Sequence, residues 1–375
     1  MLPTLPFDVI TIILLMLPAK ALVKFQCVCT SFRDLIRDQT FIKKHLHLSS
    51  SKGYLLHKSL QHNGHRTLNL LCDKTFDQTL EIELPLDLTT VSFITIGSFN
   101  GLLCLAVAYC FGALIYICNP LIRKYRTINF PITSIGYSFG HSRFSITLGF
   151  GYHDETNDYK IVRIVSSPVE QDVVNNYIDS ENPNITTKIE VYSLMDDLWK
   201  EIEPDYFPWD MFDARSDIVV NETIHWKATY LDTTGDVMVI LAFHLGDEVF
   251  RELSLPNYSS DGEDLVEYIG VYKGNLSLFV FHLNRVPLDE KCHLWVMKEY
   301  GVESSWMKVH SVVINPRVVS PLTFTRNNEI VYEDGDDESV VYDFDTKTSR
   351  VVIGREEKVV QDLVTYVESL VMIDG

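Results

Sequence analysis

With 375 residues, 46% of them hydrophobic and 11% aromatic, the chain can fill one large domain or two ordinary ones, which argues against a disordered or fibrous polypeptide. Its net charge of −19 is unevenly placed: residues 1–50 hold six Lys/Arg against three Asp/Glu, leaving −22 for the rest. A basic head on an acidic body disfavours nucleic acid, whose phosphates need clustered Lys and Arg, and points to a basic protein partner.

The chain opens on a helical segment. Val9, Ile10, Ile13, Leu14 and Leu17 follow the i, i+3, i+4, i+7 spacing of one helix face. Pro6 suits the first turn, where its missing N–H is no loss, and Pro18 stops the run. Short apolar helices follow around Ala19, Leu22, Val23 and Phe25, then Phe32, Leu35 and Ile36, then Phe41, Ile42 and Leu46. Four such helices bury little surface by themselves, so they either cap a larger core or leave an apolar face for another protein. The run Val9–Leu17 is nine residues long, against roughly twenty needed to cross a bilayer. Asp8 rather than a basic residue precedes it and no small-residue cleavage site follows before Lys20, so neither a signal peptide nor membrane insertion is expected.

Leu5-Pro6-x-Asp8, Ile13-Leu14, Leu17-Pro18-Ala19-Lys20-x-Leu22, Phe25-x-Cys27-Val28-Cys29, Phe32, Leu35-Ile36 and Phe41 together resemble the F-box, over residues 4 to about 46 without a gap. The F-box is the helical module that docks on the Skp adaptor of cullin-based ubiquitin ligases. The resemblance implies a non-catalytic adaptor subunit that reaches a cullin/RING ligase through a Skp-type protein, and the reduced state expected of the cysteines places it in the cytoplasm or nucleus. Leu5, Pro6, Leu17, Pro18, Leu22, Phe25, Cys27 and Val28 are the residues expected in the docking face or supporting it, with Phe25 and Cys27 open to an internal packing role. The F-box is expected to span residues 1–48 and the body residues 53–375.

From about Lys52 the helical period gives way to short runs rich in Val, Ile, Tyr, Phe and Trp, separated by Gly, Asn and Asp turns, which reads as all-β. Pairs of hairpins begin near residues 97, 147, 217, 268 and 320. Two hairpins supply the four strands of a propeller blade. Residues 53–84 and 363–372 each offer part of a blade, and together they predict a sixth that closes the ring with strands from both chain ends. The expected class is α+β multidomain: a small helical bundle followed by a six-bladed propeller-like body. A pair of stacked antiparallel β-sheets is the alternative.

The same body resembles the F-box-associated domain of plant F-box proteins. The echoes include Ser98-x-Asn100-Gly101-Leu102-Leu103-Cys104, Asn119-Pro120-x-x-Arg123-Lys124, Gly149-Phe150-Gly151-Tyr152 with Asn157-Asp158-Tyr159-Lys160, and Leu294-Trp295-Val296-Met297-Lys298. It is similar to the S-locus F-box group of pollen proteins and their relatives, which implies a receptor for the pistil's S-RNases in self-incompatibility. An F-box receptor with a developmental or stress-response target is the alternative.

In a propeller, turns within hairpins lie on one face and links between hairpins on the other. Summed along the sequence, the hairpin turns carry −4 and the linking loops −17. Long polar loops on a rigid scaffold are where recognition usually resides. The expected contacts to a basic target are therefore the aromatics Tyr206, Phe207 and Trp209, with Asp261, Glu263 and Asp264, and the run Glu333, Asp334, Asp336, Asp337 and Glu338. The aromatics could instead fold back to plug a seam between blades, and the acids could serve solubility.

Catalytic motifs are missing. Gly149-x-Gly151 has no third glycine and runs into His153-Asp154-Glu155, which would repel phosphate. There is no G-x-S-x-G elbow, H-E-x-x-H or P-loop, and no cofactor is expected. His45-x-His47 is assigned solvated or capping roles. The seven cysteines form no C-x2-C pair and are expected reduced, without metal, and the four sequons at Asn184, Asn221, Asn257 and Asn275 silent. A propeller enzyme or lectin is the competing class.

Overall fold

The segment Leu102–Val107 is buried at all six positions, whereas Lys124–Asn129, two strands later, buries only Ile128. A strand hidden on both faces must be sandwiched between other sheets, and one with mostly exposed residues must sit at a rim. The computed structural model of the chain resolves the pattern as a six-bladed β-propeller with four helices before it. The structure describes residues 5–49, 53–60, 65–82, 84, 88, 93–107, 114–129, 145–168, 173–174, 177–178, 185–203, 207, 209–211, 215–216, 218–232, 235–258, 264–283, 290–314, 318–336, 338–354 and 362–373.

Blade I has the C-terminal strand Asp362–Tyr366 innermost, followed outward by Tyr54–Leu60, Arg66–Cys72 and Gln78–Ile82. The closing pair is antiparallel, with Tyr54 opposite Tyr366 and Leu56 opposite Val364. Blade II comprises Phe93–Phe99, Leu102–Val107, Leu114–Asn119 and Lys124–Asn129. Blade III comprises Ser145–His153, Asp158–Pro168, Ile185–Ser193 and Leu198–Ile202. Blade V runs from Asp264–Tyr272 through Asn275–Leu283 and Glu290–Met297 to Trp306–Ile314. Blade VI runs from Val318–Phe324 through Ile330–Asp334 and Ser339–Asp343 to Thr348–Ile353.

Blade IV departs from this plan. Its strands Thr223–Asp232, Gly235–His244 and Val249–Ser254 are regular, but the innermost strand is in pieces, Asp210–Met211 and Val219–Val220. Between the pieces, Arg215–Ser216 pairs in parallel with the inner strand of blade III at Leu148 and Gly149. The linking stretch that carries Phe207 and Trp209 thus stitches two blades together through Arg215–Ser216.

Each seam between neighbouring blades holds its own apolar cluster. Leu148, Phe150 and Ile161 meet Ile96, Cys104 and Ile117 between II and III. Val162, Ile164 and Ile189 meet Ile224, Trp226 and Phe243 between III and IV. Leu276 and Met297 meet Ile240 and Leu253 between IV and V; Phe279 and Phe281 meet Ile330 and Tyr332 between V and VI. Val331 and Val341 meet Leu55 and Leu363 between VI and I. At Gly149 a Cβ would come within 2.5 Å of the Trp226 ring, whose Nε1 donates to the Leu148 carbonyl (3.1 Å). The absent side chain lets these two blades close on each other.

The helices are α1 (Phe7–Leu15), α2 (Ala19–Phe25), α3 (Thr30–Arg37) and α4 (Gln39–Ser49). Their buried residues Leu14, Ala19, Leu22, Ile36, Phe41 and Ile42 belong to the same cluster as Leu56, Leu68, Phe93, Leu103 and Tyr366 in the I–II seam. The head is therefore an extension of the propeller's core rather than a tethered module. Two polar contacts add to the packing. The Ala19 N–H at the start of α2 donates to Glu368 Oε2 (3.3 Å), and Lys43 on α4 lies 3.6 Å from Asp154 in a blade III turn.

Candidate adaptor-docking face and target-binding loops

Helix α1 reads Phe-Asp-Val-Ile-Thr-Ile-Ile-Leu-Leu, apolar almost all round. A helix of that kind is normally buried on every side. Here only one side is covered. Leu14 is buried and Ile10, Leu15 and Leu17 pack on the head's core, while Ile12 is 60% and Met16 76% exposed, with Phe7, Val9 and Ile13 beside them. Leu5 precedes this strip, and Val28 (66% exposed) sits in the turn between α2 and α3. A strip of this many large apolar side chains marks an interaction site rather than the scattered apolar residues of an ordinary surface.

Local chemistry fixes the strip's shape. Pro6 sits at the N-cap of α1 with φ −54°. His45 is buried, stacks on Phe41 at 6.4 Å, and its Nε2 donates to the Leu17 carbonyl (2.9 Å), which pins the α1–α2 corner. In place of the solvated or capping role expected for it, His45 is buried and ties α4 to the chain between α1 and α2. Cys29 Sγ accepts from the Phe32 N–H at the start of α3 (3.4 Å).

Of the residues expected at the docking face, Leu5, Pro6, Pro18, Cys27 and Val28 are exposed. Leu22 is fully buried and supports the head from inside. Leu17 and Phe25 are half-buried against the same core, Phe25 with its ring 6.2 Å from Phe32. Phe7, Ile12 and Met16 belong to the face and escaped the sequence reading. Their signal was present: a helix with no polar side has apolar residues left over once its core-facing row is counted.

The target-binding residues fare differently. Phe207 packs edge-on against Phe250 (5.3 Å) and Trp209 (5.0 Å) and joins the III–IV seam cluster; Trp209 Nε1 donates to Glu252 (3.2 Å). Phe207 plugs the III–IV seam and Trp209 packs on Ala228, Val239 and Leu241 of blade IV, so both are withdrawn as anchors. Asp334 is only 3% exposed, and its Oδ1 accepts the N–H groups of Asp336 (2.9 Å) and Glu338 (3.0 Å). It shapes its own turn, as Asp commonly does, and is too buried to be a contact in the acidic run. Glu333 and Glu338 are half-buried and Asp336 is exposed. Asp264 opens the inner strand of blade V. Tyr206, Asp261, Glu263 and Asp337 lie outside the described residues.

The head rests on the hairpin-turn face, because α4 lines cavities with the turns of blades II to VI. The acidic linking loops emerge from the opposite ends of the strands. Among the described residues no three His, Cys, Asp or Glu side chains converge as a metal site, and no helix is long and apolar enough to cross a membrane.

Burial dominates the electrostatics of the body. It pushes the imidazole of His57 in blade I and that of His225 in blade IV down to about 4, so both are neutral in the folded protein; His225 Nε2 lies 2.8 Å from the Tyr300 hydroxyl. Burial likewise pushes the Cys118 thiol up to about 12.

The profile of the F-box domain family matches residues 2–44, and that of the F-box associated beta propeller domain matches residues 48–373. The chain is an F-box protein of the F-box-associated propeller family. This F-box protein is 28% identical to F-box protein CPR1 of Arabidopsis thaliana over 334 residues, covering 86% of this chain and 76% of that one. It is also 28% identical to an F-box/kelch-repeat protein of the same plant over 330 residues, 85% of this chain and 82% of the other.

Proposed function

We propose that this F-box protein is a substrate receptor of a Skp–cullin–F-box ubiquitin ligase. The strip Leu5, Phe7, Ile12, Ile13, Met16 and Val28 carries the reading: it is an apolar face on a charged protein, built by the module whose family docks on Skp-type adaptors. The chain itself performs no chemistry in this reading; ubiquitin transfer belongs to other subunits. Co-expression of full-length chain and a Skp-type adaptor tests it. Leu5→Ala with Pro6→Ala should abolish co-purification while the propeller's melting transition stays in place; retained binding would refute the assignment.

The propeller's far face receives the target in this reading, with the acidic linking loops steering a basic protein over roughly one Debye length, ~8 Å. The resemblance to the S-locus group supports pistil S-RNases as that target. Surface association of a purified S-RNase, followed from low to high salt, should show an on-rate that falls steeply. A salt-independent on-rate in the native protein would sink the steering, and expression outside pollen would move the target to another class.

A further inference from the structure

On the head side, each blade contributes an apolar side chain to the mouth of the propeller channel, Val367, Phe99, Tyr152, Val219, Val271 and Phe324 in blade order I to VI, with the hydroxyls of Thr365, Ser98 and Thr325 among them. They surround a cavity of about 1060 Å³ that α4 walls on one side with Lys43, Leu46 and His47. An apolar ring beneath a few placed polar groups is the usual make-up of a ligand site, and the volume is at the upper end of that class.

The rim above the ring is divided by charge. Asp154 and Glu222 stand on the neighbouring blades III and IV, Lys273 and Arg326 on the neighbouring blades V and VI. Backbone ties hold each pair of turns together: the Asp154 N–H donates to Glu222 Oε1 (2.7 Å), and the Lys273 N–H donates to Asn328 Oδ1 (2.9 Å). Lys43 of α4 already pairs with Asp154 (3.6 Å), and Arg326 faces the Asp73 carboxylate, so the opposite charges the rim offers to a ligand are Glu222 of blade IV and Lys273 of blade V.

Glu222 and Lys273 both occupy the left-handed region, at φ 56° and 51°. This is the backbone of the propeller's tight hairpin turns, shared with Asn100, Arg123, Asp197 and Lys347 among others, and it costs a bulky residue on the order of 1 kcal/mol. In the corresponding turns of blades II and V the second residue is glycine, Gly101 and Gly274, at φ 79° and 76°. In blade IV a carboxylate stands where the turn geometry favours glycine.

We propose that this mouth binds an extended peptide segment, one that seats an apolar side chain in the six-residue ring and carries a basic side chain toward Glu222 and an acidic one toward Lys273. A folded domain cannot enter a cavity of this size, whereas an extended peptide can reach the opposite charges of Glu222 and Lys273 while seating a side chain in the ring beneath them. Three aromatic members of the ring favour an aromatic anchor. The site lies on the face opposite the acidic linking loops, so it is a second recognition surface and stands apart from the proposed target face. Its occupant touches the adaptor-docking head, through α4, as well as the propeller.

Fluorescence anisotropy on the full chain co-purified with a Skp-type adaptor tests the proposal. The probes are the fluorescein-labelled peptides GKGFGDG, GKGAGDG and GKGFGKG. GKGFGDG should bind saturably, and GKGAGDG about tenfold more weakly, ~1.4 kcal/mol. Lys273 is exposed on a turn, so Lys273→Glu keeps the fold, which its unchanged melting temperature verifies. That variant should weaken GKGFGDG about tenfold and strengthen GKGFGKG. Asp336→Asn with Glu338→Gln on the far face should leave peptide binding unchanged. No saturable binding of GKGFGDG below ~1 mM, or the same affinity for Lys273→Glu as for the native chain, would overturn the proposal.

Discussion

Removing residues 363–375 is expected to unfold the propeller and, with it, the docking head. The deleted segment holds Leu363, Val364, Tyr366, Leu370 and Ile373, each no more than 5% exposed. Burying one such side chain contributes about 1.5–3 kcal/mol, so the five amount to ~7–15 kcal/mol. That is the size of the whole stability of a typical domain, about 5–15 kcal/mol. The cut also opens the innermost strand of blade I, exposing the pairing edge of Tyr54–Leu60, and orphans Asn119, whose Nδ2 donates to the Ser369 and Val371 carbonyls (3.0 Å each). Because Tyr366 and Leu370 share a core with Leu14 and Ile42, and Glu368 accepts the first N–H of α2, the loss spreads to the helices. Calorimetry on the truncated chain should show no cooperative transition, limited proteolysis should digest both parts, and adaptor capture should fail. A truncated chain that melts cooperatively within about 5 °C of the full one would refute the shared core, since a loss of ~7–15 kcal/mol exceeds that shift even at half the roughly 2–4 °C per kcal/mol of a protein of about 150–250 residues, the halving allowing for this chain's length.

Ile12→Asp should abolish adaptor co-purification without altering the melting temperature, because Ile12 is exposed and outside the core; a lowered Tm would place it in the fold instead. Gly149→Ala should cost about 1–3 kcal/mol by driving the Trp226 ring away from Leu148, read as a lower denaturation midpoint and altered Trp fluorescence. Asp334→Ala should destabilise by about 1–2 kcal/mol, through two unmet N–H groups, and leave target affinity unchanged. His57 and His225 titrate near 4 when folded and near 6.5 when unfolded. The unfolded chain therefore binds more protons between those values: their contribution is complete above pH ~6.5 and is lost as pH falls toward 4, by about 3 kcal/mol each. In His225→Gln the fall in stability across that window should be smaller than in the native chain.

How much of this was legible beforehand depends on the range of the interaction. The four helices and their order follow from proline placement and 3.6-residue spacing, which are local. Blade positions follow from the hairpin repeat, and the split sixth blade from the two unpaired strand runs at the chain ends. The functions of single side chains were harder to read. Phe207 and Trp209 look like surface anchors in an acidic loop, but the nearby strand pieces draw that loop inward against Phe250. Asp334 looks like one more acid in a run, yet its own turn claims its oxygens.

The sequence by itself determined the class of the protein, because module identity resides in short contiguous patterns: doubled Leu-Pro, Phe-x-Cys-Val-Cys, and strands recurring at a nearly constant interval. Only the tertiary structure decided which side of α1 faces out, that the head shares a core with blades I and II, and which face the head occupies. It alone gathered Asp154, Glu222, Lys273 and Arg326, spread over more than 170 residues, around one cavity. The physical reason is ring closure. A propeller brings the same turn of every blade to one axis, so residues a whole blade apart in sequence become neighbours only once the last strand has paired with the first.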